Sequence, residues 1–264
     1  MPELAEVEIV RRNLEKWWTS SALEVRWLDS RFGKKDQDRI DLALKSKPLR
    51  FLRRGKHLVI QTQKGGIYFH LRMTGKIVKR ETWDIKFARL AFKLSKNNWL
   101  LFIDTRRLGS VDFLEGESLP RQFEDLGPEP EAVSVAYFNE RIGKKKGLKS
   151  ALLDQKIVAG LGNIAITELF WIYKISPQAK WGDLDEAQKE ELCAGLAPYF
   201  DALIEKEEGD EIAYTNEPGA SNPFLIYKRL GEPCPQCSVA IERMKVASRS
   251  TYFCPSCQAS DLKK

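Results

Sequence analysis

The sequence has no apolar run long enough to span a membrane, and its N-terminus lacks the apolar stretch of a secretory signal peptide. A membrane-embedded or exported chain is therefore not expected. Histidine is scarce, with only two residues. Taken alone, His70 fits a satisfied structural imidazole better than a catalyst. Cysteine is scarce too: of five, four form two Cys-x-x-Cys pairs. That pattern fits a reducing compartment and a bound metal better than a disulfide framework.

What is present is length and a polarised charge. A chain of 264 residues can build two domains and a sizeable core. The net charge is +6. Residues 49–107 carry fifteen Lys and Arg against three Asp and Glu, and 141–156 carry six against one. The tail, 225–264, carries seven against three, whereas 183–211 holds eleven acids and two lysines. Such polarity suits a basic face for a polyanion and an acidic back to solvent, although scattered solvated charge is the ordinary alternative.

Leu4, Val7, Val10, Leu14 and Trp17 recur at helical spacing, which predicts an amphipathic helix over residues 3–18. Period-two patterning then predicts strands at 22–28, 49–54, 57–62, 66–72, 76–80, 86–94, 99–104 and 110–115. The expectation is an antiparallel sandwich or barrel with one helix against it. Leu126-Gly127-Pro128-Glu129-Pro130 reads as a stiff linker. Beyond it, helical patterns are expected at about 134–142, 149–156, 163–173 and 183–206, with Asn163 as an N-cap. Cys193, on the apolar side of the last helix, reads as core.

Several segments carry possible chemistry, each with a plainer reading beside it. Met1 precedes proline, a context in which bacterial processing removes the methionine. Pro2 would then offer a secondary amine that titrates near 8, far more readily than lysine, and could form an iminium with a sugar C1′. Glu3 and Glu6 could move protons there, or simply cap a helix. Lys56, after Arg53-Arg54-Gly55, could meet a phosphate or donate a proton, or be a solvated lysine. Met73 at a turn could wedge into a base stack, or pack. Asp104 to Gly109 forms a basic turn from which arginine could enter a groove. Gln155 to Asn163, with two glycines beside Lys149 and Lys156, could clamp a phosphate or serve as a helix–turn–helix connector. Cys234-x2-Cys237-x16-Cys254-x2-Cys257 has the spacing of a four-thiolate zinc site on two knuckles, with redox thiols as the alternative. Arg249, at the tip of the insert, looks aimed at a phosphate.

Together these residues resemble the formamidopyrimidine-DNA glycosylase and endonuclease VIII family of base-excision repair enzymes. The resemblance spans nearly the whole chain: Pro2-Glu3-Leu4 with Glu6, Arg54-Gly55-Lys56, His70 with Met73, Asp104 to Gly109, Gly160 to Asn163 with Glu168, and the four-cysteine finger with Arg249. It implies an α+β protein with three parts. These are an antiparallel β-sandwich with an N-terminal helix (1–126), a helix–two-turn–helix domain (131–225) and a zinc finger (226–264). It implies one structural zinc on Cys234, Cys237, Cys254 and Cys257, and a monomer acting on double-stranded DNA with damaged bases or abasic sites. A bacterial, cytoplasmic and nucleoid-associated location follows from the same resemblance.

Carried over by residue, Pro2 resembles the Schiff-base nucleophile, Glu3 the general acid/base and Glu6 the second acid of that site. Lys56 resembles the lysine of β-elimination and Arg249 the finger arginine of δ-elimination. His70, Arg106, Lys149 and Asn163 match DNA-contacting positions, Met73 the void-filling wedge and Leu108 its neighbour. The family removes a flipped base and nicks the strand; the chain start and His70 to Gly75 resemble the branch that takes oxidised purines (8-oxoguanine and formamidopyrimidines). Ala5, Arg72, Leu108 and Ala165 depart from that branch's usual proline, glycine, phenylalanine and tyrosine. The stretch from 216 to 224, expected to cap the lesion, also departs from pattern. An endonuclease VIII-like enzyme for oxidised pyrimidines, or a non-catalytic damaged-DNA-binding zinc protein, are the competing readings.

Overall fold

A computed structural model describes residues 2–116, 119–209, 211 and 222–259. The chain forms two compact units: Met1–Asp125 with Ile204–Ala220, and Leu126–Leu203 with Ser221–Lys264.

The first unit opens on helix α1 (Leu4–Trp17), whose buried stripe includes Leu4, Val7, Val10 and Leu14. Eight strands follow: β1 (Glu24–Trp27), β2 (Pro48–Arg54), β3 (His57–Thr62), β4 (Gly65–His70), β5 (Gly75–Arg80), β6 (Ala88–Ser95), β7 (Asn98–Asp104) and β8 (Ser110–Leu114). They make two four-stranded sheets, ordered β1-β6-β7-β5 and β2-β3-β4-β8. Every pairing is antiparallel. The sheets meet through large aromatics: Phe69 of β4 lies 6.0 Å from Phe102 of β7. Trp18 touches Phe51 of one sheet and Phe92 of the other. Strands β3 and β7 are buried almost throughout, and α1 packs against β2 and β3 of one sheet and β5 of the other.

Period-two patterning placed all eight strands but passed over helix α2 (Gln37–Leu44), which packs on β4 and β8. Only Ile40, Ala43 and Leu44 are buried in it, and no side chain caps its start. Eight residues with three apolar contacts give too short a record for periodicity to register.

The second unit holds α3 (Val135–Arg141), α4 (Leu148–Leu153), α5 (Asn163–Ile172) and most of α6 (Glu186–Glu207). It ends in the hairpin β9–β10 (Glu242–Val246 and Arg249–Phe253). The linker is welded down: Gly127 donates to Gln155 at 2.8 Å, and a Cβ there would lie 2.5 Å from the Ile157 backbone. The finger shares a core with α5, where Trp171, Ile226, Ile241, Cys234 and Cys254 are packed together. Cys193 is buried in α6, as the sequence suggested. No helix among the described residues is long and apolar enough to cross a membrane.

Candidate active site

In the first unit, Pro2 and Glu3 are buried at the N-terminus of α1, with Glu3 as its N-cap. The Glu3 N–H donates to Glu6 Oε2 at 2.9 Å, so both acids are bound into the helix start. Burial, reinforced by the charge of Glu3, pushes the Glu6 carboxyl up to about 7. A buried carboxyl beside a second negative charge ionises reluctantly, so Glu6 holds its proton to near neutrality.

Lys56 lies on the two-residue turn joining β2 to β3, where Gly55 supplies a positive φ of 54°. That turn is braced from α1. Arg53 donates to Glu8 Oε2 at 3.1 Å and to the Gly55 carbonyl at 3.2 Å. Burial opposes ionisation of Glu8, but hydrogen bonds from Arg11 and Arg12 and the charge of Arg53 hold its carboxyl below the usual range.

His57 and His70 are a cross-strand pair whose rings meet edge to face at 4.6 Å. His57 Nδ1 lies 2.6 Å from the Tyr68 hydroxyl. His70 Nδ1 accepts the Arg72 N–H at 3.1 Å. Burial and then the neighbouring charges of His57, Arg72 and Lys56 drive His70 down to about 3. The ring is thus neutral with its proton on Nε2: a hydrogen-bond donor without a charge.

Met73 and Leu108 stand out from their loops, 40% and 44% exposed. Arg106 Nη1 lies 3.1 Å from Met73 Sδ, which brings these two together. Each loop contains a left-handed residue that is not glycine, Arg72 (φ 55°) in one and Arg107 (φ 57°) in the other.

In the second unit two residues sit differently from expectation. Lys149, read as a phosphate contact, is 1% exposed, with Nζ donating to Thr251 Oγ1 at 2.6 Å. Asn163, read as an N-cap, is the first helical residue; Gly162 occupies the cap. Its Nδ2 instead donates to the Ser250 carbonyl at 2.9 Å. Both side chains grip the β9–β10 hairpin from helices distant in sequence. Arg249 is exposed where that hairpin turns. The turn, Ala247-Ser248, has positive φ at both positions (50° and 58°), the geometry that suits a tight hairpin but favours glycine or asparagine. Gln155 fastens the glycine loop, accepting from Gly160 N at 3.0 Å and donating to Leu161 O at 2.8 Å.

The four cysteine sulfurs lie within 4.8 Å of one another, with Cys234–Cys257 at 3.8 Å and Cys237–Cys254 at 3.3 Å. A tetrahedral zinc with bonds of about 2.3 Å needs sulfurs about 3.8 Å apart, so the donor set fits one structural zinc. Trp171 Nε1 points at Cys234 Sγ from 3.3 Å, an outer donor suited to a thiolate.

Sequence reasoning gave no role to two buried acids. Glu168 receives the N–H groups of Leu225, Ile226 and Tyr227 at 2.6, 3.0 and 2.9 Å. Asp104, with no exposure, receives Arg106 N at 3.2 Å and Gly109 N at 2.7 Å. The only local signal was an acid inside or closing an apolar run. Residues 216–221 of the expected capping loop lie outside the described residues.

Residues 1–111 match the formamidopyrimidine-DNA glycosylase N-terminal domain, 126–212 its H2TH domain, and 231–259 the zinc finger found in FPG and IleRS. The chain is 34% identical over 274 residues to the formamidopyrimidine-DNA glycosylase of Latilactobacillus sakei, covering 98% of each. It is 34% identical over 271 residues to that of Streptococcus pyogenes serotype M18, again covering 98% of each. Among solved structures, Lactococcus lactis Fpg with abasic-site DNA matches with a TM-score of 0.85, 29% identity, and coverage of 97% of this chain and 99% of that one. MutM with DNA containing carbocyclic 8-oxo-G matches at 0.83 and 30%, covering 98% and 100%.

Proposed function

Because the chain belongs to the formamidopyrimidine-DNA glycosylase family, a family of bifunctional base-excision repair glycosylases and AP lyases, we propose that Pro2 is the nucleophile with which it removes oxidised purines. The observation that carries this reading is the N-terminus of α1, where Pro2 adjoins Glu3 and Glu6, and Glu6 retains a proton near pH 7.

Once Met1 is removed, the Pro2 nitrogen attacks C1′ of the extruded nucleotide. The C1′–base bond breaks and the base leaves with a proton from the Glu3–Glu6 pair; the C1′–O4′ bond then breaks, O4′ takes the proton that the pair receives from the Pro2 nitrogen, and a ring-opened iminium forms. The helix dipole favours the neutral amine over the ammonium at this end. The iminium acidifies C2′; loss of that proton expels the 3′ phosphate, with Lys56 assisting. A second elimination expels the 5′ phosphate, with Arg249 assisting. His70 donates to a phosphate as a neutral group. Lys149 and Asn163 hold the β9–β10 hairpin that presents Arg249, and reach DNA phosphates only if that hairpin contact is exchanged. Met73, Arg106 and Leu108 fill the space left by the extruded base, whose departure from the stack costs a few kcal/mol. The parts 1–126, 131–225 and 226–264 divide this work as catalytic, DNA-gripping and phosphate-presenting segments, in a monomer that acts at the nucleoid.

The test is borohydride trapping on duplexes carrying 8-oxoguanine, a formamidopyrimidine, an oxidised pyrimidine or an abasic site. The expected adduct forms most with the purine lesions and maps by mass spectrometry to the peptide beginning at Pro2. An adduct on Lys56 would overturn the nucleophile; preference for the pyrimidine lesion would overturn the substrate class.

A further inference from the structure

Asp104 ends β7 with its side chain wholly buried. Its two carboxylate oxygens serve two different loops. Oδ1 accepts from the Thr74 hydroxyl, in the turn that follows β4, and from Arg106 N at 3.2 Å. Oδ2 accepts from Gly109 N at 2.7 Å, closing the loop between β7 and β8. Thr74 Oγ1 also accepts the Arg106 N–H at 3.2 Å, so hydroxyl, carboxylate and both loops form one hydrogen-bonded knot. Its backbone is fixed as well: Arg89, itself buried, donates to the Asp104 carbonyl from Nε at 2.9 Å and Nη2 at 2.7 Å.

The loops so joined are the two that carry Met73, Arg106 and Leu108. Both are built under strain, with left-handed Arg72 just before Met73 and left-handed Arg107 between Arg106 and Leu108. Both are crowded at their ends. A Cβ on Gly75 would lie 2.5 Å from the Leu71 carbonyl oxygen, and one on Gly109 would lie 2.7 Å from the Phe102 ring. Conformations of this kind persist only where the surroundings over-determine them. A buried carboxylate that accepts from both loops is such a determinant, and its two acceptor oxygens serve all three converging donors.

We propose that Asp104 is a positioning residue that locks Met73, Arg106 and Leu108 into a single rigid insertion unit. It rests on the reading of those three residues as the wedge. Asp104 itself touches no reacting atom; it acts through the loops. Asparagine at this position has one acceptor oxygen for groups now served by two, so at least one backbone N–H faces an amide NH2 and the loops come apart.

The experiment compares base release from an 8-oxoguanine duplex with nicking of a pre-formed abasic site, where no base needs expelling. A 2-aminopurine placed beside the lesion reports unstacking directly. In Asp104→Asn the ratio of base release to nicking should fall at least tenfold, with a smaller 2-aminopurine rise. Combining it with Met73→Ala should lower the ratio no further than Met73→Ala alone. Thr74→Val, at a half-buried position, should show the same split should Asp104→Asn fold poorly, and Thr74→Ser should restore the parent ratio. If Met73→Ala splits the two reactions but Asp104→Asn and Thr74→Val lower both equally or neither, Asp104 is merely structural and the inference fails. If Met73→Ala itself produces no split, the wedge reading fails first.

Discussion

Replacing Glu168 by glutamine leaves one acceptor oxygen where two now serve three N–H groups. With the amide oxygen in the place of Oε1, the bonds from Ile226 and Tyr227 survive, but the Leu225 N–H, now 2.6 Å from Oε2, would face an NH2. Burial drives the Glu168 carboxyl upward against the pull of these three donors and of Arg229, so neutralising it gives some relief. A charge-assisted hydrogen bond contributes about 1.5–3 kcal/mol, and a buried donor left unpaired costs about 1–3 kcal/mol. Allowing for the relief, Glu168→Gln should destabilise the second unit by about 2–3 kcal/mol. Glu168→Ala strands all three donors and opens a cavity, so about 4 kcal/mol or more is expected. Urea unfolding followed by tryptophan emission reads this directly, since Trp171 shares its cluster with Ile226. Hydrogen exchange at residues 225–227 gives the local view. A glutamine variant within about 0.5 kcal/mol of the parent, or equal losses for the two variants, would refute the account.

The Glu6 carboxyl, raised from 4.5 to about 7 in the folded protein, keeps its proton while the unfolded chain loses it. Its contribution to stability is therefore complete below pH 4.5, declines as pH rises to about 7, and is constant above; Glu6→Gln should flatten that decline in a series of denaturation curves. For the metal, Cys254→Ser should yield substoichiometric zinc by elemental analysis together with weaker DNA binding, because the site and its packing on Trp171 form as one. A fully occupied variant would contradict that. Arg249→Ala should make the salt dependence of DNA binding shallower by about one unit, whereas His70→Ala, which removes a neutral ring, should weaken binding without altering the slope. A changed slope in the histidine variant would mean that His70 binds as a cation.

The strands were legible because short apolar runs bounded by turn residues are a local record: Leu58-Val59-Ile60 and Ile67-Tyr68-Phe69 declare themselves within a few residues, buried on both faces. The finger was legible because four thiolates at fixed spacing have few other uses. Asn163 and Lys149 were legible as polar groups beside glycines, but not in their use. Their partners, Ser250 and Thr251, are 87 and 102 residues away, and no local pattern encodes that pairing. The return of the chain after α6 was equally hidden: Asn13 binds the Gly209 carbonyl at 2.7 Å and Lys16 meets Glu208 at 3.1 Å. Asp104 and Glu168 were marked by the resemblance but given no role, because an acid beside an apolar run reads as a strand end or a helix surface until the donors that converge on it are known.

Cys193 lies within α6 at 8% exposure, and burial pushes its thiol up to about 11. Its nucleophilic form is thus scarce at neutral pH and shielded from large reagents. The other four thiols all belong to the finger. A bulky maleimide dye added to the native protein therefore reports a single event: the release of a metal ion unmasks up to four reactive sulfurs against a silent background. The colour that develops counts fingers that have opened, and its rate under a chelator measures how tightly each was shut.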